Sequence, residues 1–117
     1  MKRILLGLIV FIVLTRGELV AAHGAEEAST IYHDRCVMCH GATGNGDGPA
    51  AAALNPKPKD FQDCGAMSKV TDEQLFNAIK DGGQSVGLSP LMPAWGASVA
   101  DPQIHALVAY IRDFCKR

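Results

Sequence analysis

An all-α fold of about four helices joined by long loops is what this sequence predicts, and three observations lead to it. Apolar residues recur at helical spacing over residues 25–36, 71–81 and 101–115. Glycine and proline concentrate in the stretches between these segments, 41–58 and 82–100. No stretch alternates apolar and polar residues for the length of a strand. With 117 residues, the chain has room for one such domain.

The N-terminal half of the domain is expected to contain one long helix and one short helical turn. The segment over 25–36 predicts a helix that places Ala28, Ile31 and Tyr32 on its inward face. Pro49 favours a single further turn of helix immediately after it, because proline fits the first helical position well.

The two later helices carry clearer start signals. Thr71 and Gln74 form a capping box that begins one helix, and Gly82 is expected to end it. Asp101 is expected to cap the last helix, with Pro102 at its first helical position.

The N-terminus has the pattern of a secretory signal peptide. A positively charged start is followed by an apolar run of 11 residues, 4–14, which is well short of the about 20 needed to cross a bilayer as a helix. Small residues before position 23 place the expected cleavage after Ala22. Residues 1–22 are then the signal and residues 23–117 the mature domain, exported to the periplasm and not membrane-spanning. An uncleaved anchor is the alternative.

The mature segment carries 8 Lys and Arg against 11 Asp and Glu, a net charge of −3. Nucleic-acid-binding domains are typically basic. A nucleic-acid partner is therefore not expected.

Cys36-Val37-Met38-Cys39-His40 is a C-x-x-C-H motif, the attachment pattern of a c-type haem. Cys36 and Cys39 lie on one side of a helical turn, where each can form a thioether bond with the haem. His40 follows them directly and can bind the iron as the proximal axial ligand. A zinc site would need a second close pair of ligands, and a thioredoxin-like redox pair would need βαβ surroundings. The sequence offers neither.

Met92 is the predicted distal axial ligand. It lies 52 residues after His40 in a proline-stiffened loop between two helices, so the chain can wrap around the edge of a haem. Core filling is the alternative role of a methionine. The other candidates lack a comparable setting: Met67, His23, His33 and His105.

Cys64 and Cys115 remain after haem attachment. Two further cysteines in an exported protein most simply form a disulfide with each other. Two buried free thiols, or an intermolecular bond through Cys115, are the alternatives.

The chain resembles class I (monohaem) c-type cytochromes of the bacterial periplasm over residues 25–117. The similar segments are 32–41 with the haem motif, Gly46-Asp47-Gly48-Pro49, Pro56-Lys57-Pro58 with Asp60-Phe61, 75–82, Met92-Pro93 with Trp95, and 107–112. This resemblance implies a small helical globule around one covalent haem c, in which the first and last helices cross. It also implies that a proline carbonyl accepts the second N–H of His40, with Pro56 the candidate and Pro58 the alternative.

The function implied by the resemblance is that of a soluble periplasmic single-electron carrier, monomeric and not an enzyme. It would dock transiently onto larger redox proteins through the exposed haem edge. The expected docking rim comprises Ala42, Thr43, 86–88 and 91–95. Two other functions stay open: a haem subunit of a multi-component redox enzyme, and a redox or gas sensor with a displaceable Met92.

Overall fold

The computed structural model describes residues 2–117, with side chains from Leu19 onward. Within this range the chain forms five α-helices and no strand, which confirms the predicted all-α fold. The helices are α1 (Lys2–Arg35), α2 (Val37–His40), α3 (Cys64–Met67), α4 (Asp72–Asp81) and α5 (Asp101–Asp113). Short 3-10 turns lie at Ala51–Ala53, Gly83–Val86 and Phe114–Lys116.

The helix α1 is longer than the segment predicted from periodicity, because it continues N-terminally from residue 25 to Lys2. Residues 2–22 of the predicted signal segment lie within it, mostly outside the residues whose side chains are described. Cleavage after Ala22 stays a prediction. Among the described residues, none of the helices combines the length and the apolar character needed to cross a membrane.

The core forms where α1 meets α5. Ala28 and Tyr32 on α1 are 1% and 0% exposed, and they belong to the same buried cluster as Leu107 and Val108 on α5. The Tyr32 ring also lies 5.3 Å from the Phe114 ring, centroid to centroid. The predicted contact between the first and last helices is therefore present. Ile31, predicted to face inward, is only partly buried.

The helix α4 begins at the predicted capping box. The Thr71 hydroxyl accepts the N–H of Gln74 at 3.1 Å, and the Gln74 side chain accepts the N–H of Thr71 at 2.9 Å. Leu75 and Ile79 face the core. Both groups of the box satisfy N–H donors that the helix leaves free.

The start of α5 corrects one prediction, since Ala100 and not Asp101 is the N-cap residue. Asp101 is instead the first helical residue, and its carboxylate lies 2.9 Å from the Lys80 ammonium. The N–H of Ala100 donates to the side chain of Gln103 at 2.9 Å. The ion pair to α4 occupies the carboxylate that was expected to cap the helix.

Arg112 connects α5 with the segment before α4. Its guanidinium donates to the carbonyls of Met67 and Val70 and to the Asp72 carboxylate, the last at 2.8 Å. Bonds to charged groups are among the stronger hydrogen bonds in proteins. This side chain therefore fixes where α4 starts relative to the last helix.

Candidate cofactor site

An apolar cavity of about 300 Å³ lies between the end of α1, α2, α4 and the loops that follow α2 and α4. Its volume is within the range of small-molecule and cofactor sites. Cys36, Cys39, His40, Pro56 and Met92 all line it. The fold thus brings together the five residues that the sequence associated with a haem, although they come from three separate parts of the chain.

The four-residue helix α2 is held by the glycine-rich loop that follows it. Backbone N–H groups of Gly46, Gly48 and Ala50 donate to the carbonyls of His40, Cys39 and Met38 at 2.9, 3.2 and 2.9 Å. A Cβ atom at Gly48 would lie 2.5 Å from the carbonyl oxygen of Val37, so the loop can approach the helix this closely only with glycine. The loop therefore satisfies the free carbonyls at the end of α2.

Tyr32 ties α1 to the end of the motif. Its buried hydroxyl donates to the carbonyl of Gly41 at 2.8 Å. Burial raises the pKa of the Tyr32 phenol well above its usual value, so the hydroxyl keeps its proton and remains a donor.

His40 is partly buried, and its imidazole stacks on the Phe61 ring with centroids 4.7 Å apart and an interplanar angle of 13°. Burial lowers the pKa of His40 to about 4, and the backbone of Lys59 opposes part of this decrease. The imidazole is therefore neutral at pH 7, the form in which a ring nitrogen can bind a metal.

One ring nitrogen of His40 has no hydrogen-bond partner among the described residues. This atom, Nδ1, is buried. Pro56 lines the cavity but does not accept a hydrogen bond from His40 Nδ1. The backbone group that raises the pKa of the imidazole belongs to Lys59. The role given to Pro56 stays a prediction.

Cys36 and Cys39 are partly buried, and neither forms a disulfide. Burial raises the pKa of the Cys36 thiol to about 11. Both sulfurs are therefore available for covalent chemistry with a group in the cavity, and Cys36 holds its proton at neutral pH.

Met92 lies on a loop anchored by backbone hydrogen bonds. Its carbonyl accepts the N–H of Gly83 at 3.0 Å, and its N–H donates to the carbonyl of Ser89 at 3.1 Å. Further along the loop, the N–H of Trp95 donates to the carbonyl of Ile79 at 2.9 Å. The end of α4 thus sets the position of the loop that carries the thioether.

Arg35 connects the same loop with the haem motif. Its guanidinium lies 5.2 Å from the centre of the Trp95 ring and donates to the Ser98 hydroxyl at 2.7 Å. Arg35 immediately precedes Cys36, so these contacts hold the end of α1 against the loop that carries Met92.

The other candidates for the distal ligand lie elsewhere. Met67 is a core residue, 2% exposed, and His105 is exposed and stacks on Phe76 at 4.6 Å. His23 and His33 are exposed on α1. None of the four lines the cavity.

The donor set fits a haem. Two free thiols three positions apart, a neutral imidazole and a thioether meet in one apolar cavity. Thiols, imidazole and thioether are the groups that attach and ligate the haem of c-type cytochromes.

Sequence reasoning missed two residues of this site. Phe61 belongs to a segment of the family resemblance, yet nothing in the local pattern indicated that it stacks on His40. Arg35 precedes the motif directly, and only the position of Trp95 in space reveals its role. Both contacts join residues that are distant in the chain.

Cys64 is the first residue of α3 and Cys115 lies in the C-terminal 3-10 turn, and neither lines the cavity. Their Cα atoms are 5.4 Å apart, a separation usual for a disulfide. This geometry allows the predicted bond, which stays a prediction.

Comparison with known proteins identifies the family. Residues 23–111 match the family described as Cytochrome C oxidase, cbb3-type, subunit III. The solved structure of KustC0563 c-type cytochrome is similar at 25% identity, with a TM-score of 0.59, 74% of this chain and 95% of that chain covered. A chain of the Kuenenia stuttgartiensis reducing HAO-like protein complex Kustc0457/Kustc0458 shares the fold at 23% identity, with a TM-score of 0.60 and 79% of this chain covered.

The match to the complex spans only 44% of that chain. The comparison with curated proteins found no match. The family match covers most of the chain and agrees with the cavity, its thiols and its imidazole. The chain therefore belongs to the family described as Cytochrome C oxidase, cbb3-type, subunit III, and is a c-type cytochrome.

Proposed function

We propose that this haem electron-transfer protein is a single-electron carrier of the periplasm. Cys36 and Cys39 would attach one haem c, and His40 and Met92 would bind its iron. The observation that carries the proposal is that these four residues line the same apolar cavity. Haem c, when bound, supplies a one-electron iron couple.

The chain's own groups suit electron transfer better than substrate chemistry. His40 is neutral at pH 7 because burial lowers its pKa to about 4, and Met92 is held on an anchored loop. With both side chains bound to the iron, the haem would supply electron exchange and would have no open site for a substrate. Pairing histidine with methionine also raises the reduction potential.

Replacing Met92 with leucine tests the distal ligand. Met92→Leu keeps the side-chain volume and removes the sulfur, so we expect loss of the far-red sulfur–iron absorption band and a lower reduction potential. Met67→Leu is the matched control, because it makes the same change in the core away from the cavity. A far-red band that survives Met92→Leu would exclude Met92 as the ligand.

An intact mass measurement tests export and haem attachment together. The protein purified from the periplasm should have the mass of residues 23–117 plus one haem. A mass that includes residues 1–22 would show that the N-terminal segment is retained. A mass without haem, or with two, would contradict the proposed cofactor.

A second candidate is a haem subunit of a larger redox enzyme. The family description names an oxidase subunit, and one structural neighbour belongs to a reducing HAO-like complex. Sedimentation of the natively expressed protein separates the two functions, since a carrier sediments as a monomer and a subunit sediments with its enzyme.

A sensor with a displaceable Met92 is distinguished by carbon monoxide, which changes the spectrum of the reduced protein only when Met92 leaves the iron.

A further inference from the structure

Two cysteines that the haem site does not use lie side by side at the surface of the molecule. Cys64 is exposed and Cys115 is partly buried, and their Cα atoms are 5.4 Å apart. The Cys64 sulfur lies 3.4 Å from the carbonyl oxygens of Gln62 and Cys115. Thiol–disulfide exchange requires access to a sulfur atom. A disulfide at this place would therefore be open to attack by a thiol from solvent, at Cys64.

The cysteine pair is in contact with the segment that carries Phe61. The Cys115 sulfur lies 3.5 Å from the carbonyl oxygen of Phe61. The ring of Phe114, the neighbour of Cys115 in the chain, stacks on the Phe61 ring with centroids 6.2 Å apart. The Phe61 ring in turn stacks on the His40 imidazole at 4.7 Å. A continuous series of contacts thus leads from the cysteine pair to the proposed proximal ligand.

A second cavity, of about 240 Å³, lies beside the cysteine pair. Cys64 and Cys115 both line it. Phe61 and Ile111 line this cavity and also the cofactor cavity, so they form a wall that the two cavities share. Water that entered the second cavity would make the surroundings of this wall more polar.

We infer that Cys64 and Cys115 form a thiol–disulfide switch, reduced by a dithiol, that changes the reduction potential of the haem through Phe61. This inference rests on the predicted bond and on the proposed function. In the disulfide form, the bond holds the C-terminal turn against the Phe61 segment. In the dithiol form, the turn is free to separate and water can enter the second cavity. More polar surroundings favour the more highly charged ferric state, so the potential should be lower in the dithiol form.

Reduction of the bond would proceed in two steps. A thiolate of the dithiol attacks the exposed Cys64 sulfur, the S–S bond breaks, and the Cys115 sulfur leaves as a thiolate that takes up a proton. The second thiolate of the reductant then attacks the reductant's own sulfur in the mixed disulfide and releases Cys64, which is protonated in turn. The protein gains two electrons and two protons, and the reductant becomes a disulfide.

Dithiothreitol added to the native ferrous holoprotein tests access to the bond. Iodoacetamide, added after the reductant is removed, should increase the mass by two carbamidomethyl groups while the far-red band is retained. Without alkylation, the oxidant diamide should restore the bond. Modification only after denaturation would overturn the inference, and so would two thiols that diamide does not pair.

Potentiometry measures the coupling to the haem. The disulfide form is compared with the alkylated dithiol form and with Cys64→Ser and Cys115→Ser, which each lack the bond without added bulk. We expect a lower potential in all three unbonded proteins, with the far-red band unchanged. Gln103→Ala is the matched control, because it removes a capping hydrogen bond at the other end of α5 and should leave the potential as it is. An equal shift in this control would assign the pair a general structural role and overturn the switch.

Phe61→Leu tests the proposed route. In this background, Cys64→Ser should shift the potential less than it does in the natural sequence, because the contact between the cysteine pair and His40 is broken. The difference between the two shifts is the interaction of a double-mutant cycle. The hyperfine-shifted proton signals of His40 in the ferric protein should likewise differ between bonded and unbonded forms only when Phe61 is present. A full shift in the Phe61→Leu background would exclude the route through Phe61.

Failure of the switch and failure of the proposed function give different results. Absence of the far-red band from the bonded and unbonded forms alike would contradict the proposed axial ligand Met92. A far-red band and a one-electron potential that are the same in bonded and unbonded forms would support the electron carrier and overturn the switch.

Discussion

Gly83 lies where the backbone after α4 comes closest to the loop that carries Met92. A Cβ atom at this position would overlap the carbonyl oxygen of Ser89 and lie 3.0 Å from the Met92 Cβ. The N–H of Gly83 also donates to the Met92 carbonyl at 3.0 Å. The missing side chain of one residue thus allows the backbone after α4 to approach the Met92 loop this closely.

Gly83→Ala should therefore move the Met92 loop. Overpacking of this kind costs about 1–3 kcal/mol, so we expect a lower free energy of unfolding and a weaker far-red band. Gly65→Ala is the control, because its Cβ would meet only the Asp63 carboxylate at an ordinary 3.4 Å. Denaturant titration followed at the far-red band measures both effects. Equal stability of the two variants would contradict the close approach.

Phe61 shows how a residue distant from the haem motif can shape its environment. Its ring covers one face of the His40 imidazole, and Phe61 itself is 4% exposed. The ring shields one face of the imidazole, and burial of the imidazole lowers its pKa.

The contacts of α1 and α4 position the two halves of the candidate site. The C-terminal end of α1 leads into the motif, and the C-terminal end of α4 anchors the Met92 loop through the carbonyls of Ile79 and Lys80. Arg35 bridges the two by its contacts with Trp95 and Ser98. The loop is therefore held from both sides of the cavity.

Arg35→Ala should loosen this bridge. A cation–π contact at an exposed position is worth about 0.5–1 kcal/mol. We therefore expect the free energy of unfolding, followed at the far-red band in a denaturant titration, to fall by that amount. Arg35→Lys keeps the charge but not the planar guanidinium, and it should recover part of the loss. Absorbance and potentiometry of both variants provide the measurement. A loss of overall stability with an unchanged band and potential would show that Arg35 has only a general structural role.

The C-terminal end of the molecule is joined to the segment before α4 by two features. Arg112 hydrogen-bonds to the carbonyls of Met67 and Val70, and Cys115 lies next to Cys64 with 5.4 Å between Cα atoms. Both features hold α5 against the part of the chain that carries Phe61. The last helix is thus tied to the chain segment that includes the cavity-lining residues Phe61 and Val70.

A disulfide between Cys64 and Cys115 would close a loop with a sequence separation of 51. On the chain-entropy model, a loop of this length is worth roughly 4 kcal/mol. The double change Cys64→Ala with Cys115→Ala should lower the free energy of unfolding by an amount of that order and leave the far-red band unchanged. Thiol counting on the denatured, unreduced holoprotein checks the bond directly. Two titratable thiols would exclude it.

Local pattern predicted the elements better than their long-range contacts. The capping box of Thr71 and Gln74 involves residues three apart, so it could be recognised in the sequence and is present in the structure. The prediction that Asp101 caps α5 is wrong, because its carboxylate forms an ion pair with Lys80 on another helix. An ion pair between separate helices leaves no periodic signal in the chain.

The haem motif follows from the sequence because its three reactive residues are neighbours and one helical turn aligns them. Loop composition favours Met92 over four rival side chains, and only the folded chain shows Met92 lining the cavity with His40. The contacts of Phe61, Arg35 and Gly83 likewise exist only after folding. Covalent spacing carries the attachment chemistry, whereas packing between distant segments sets the environment in which that chemistry takes place.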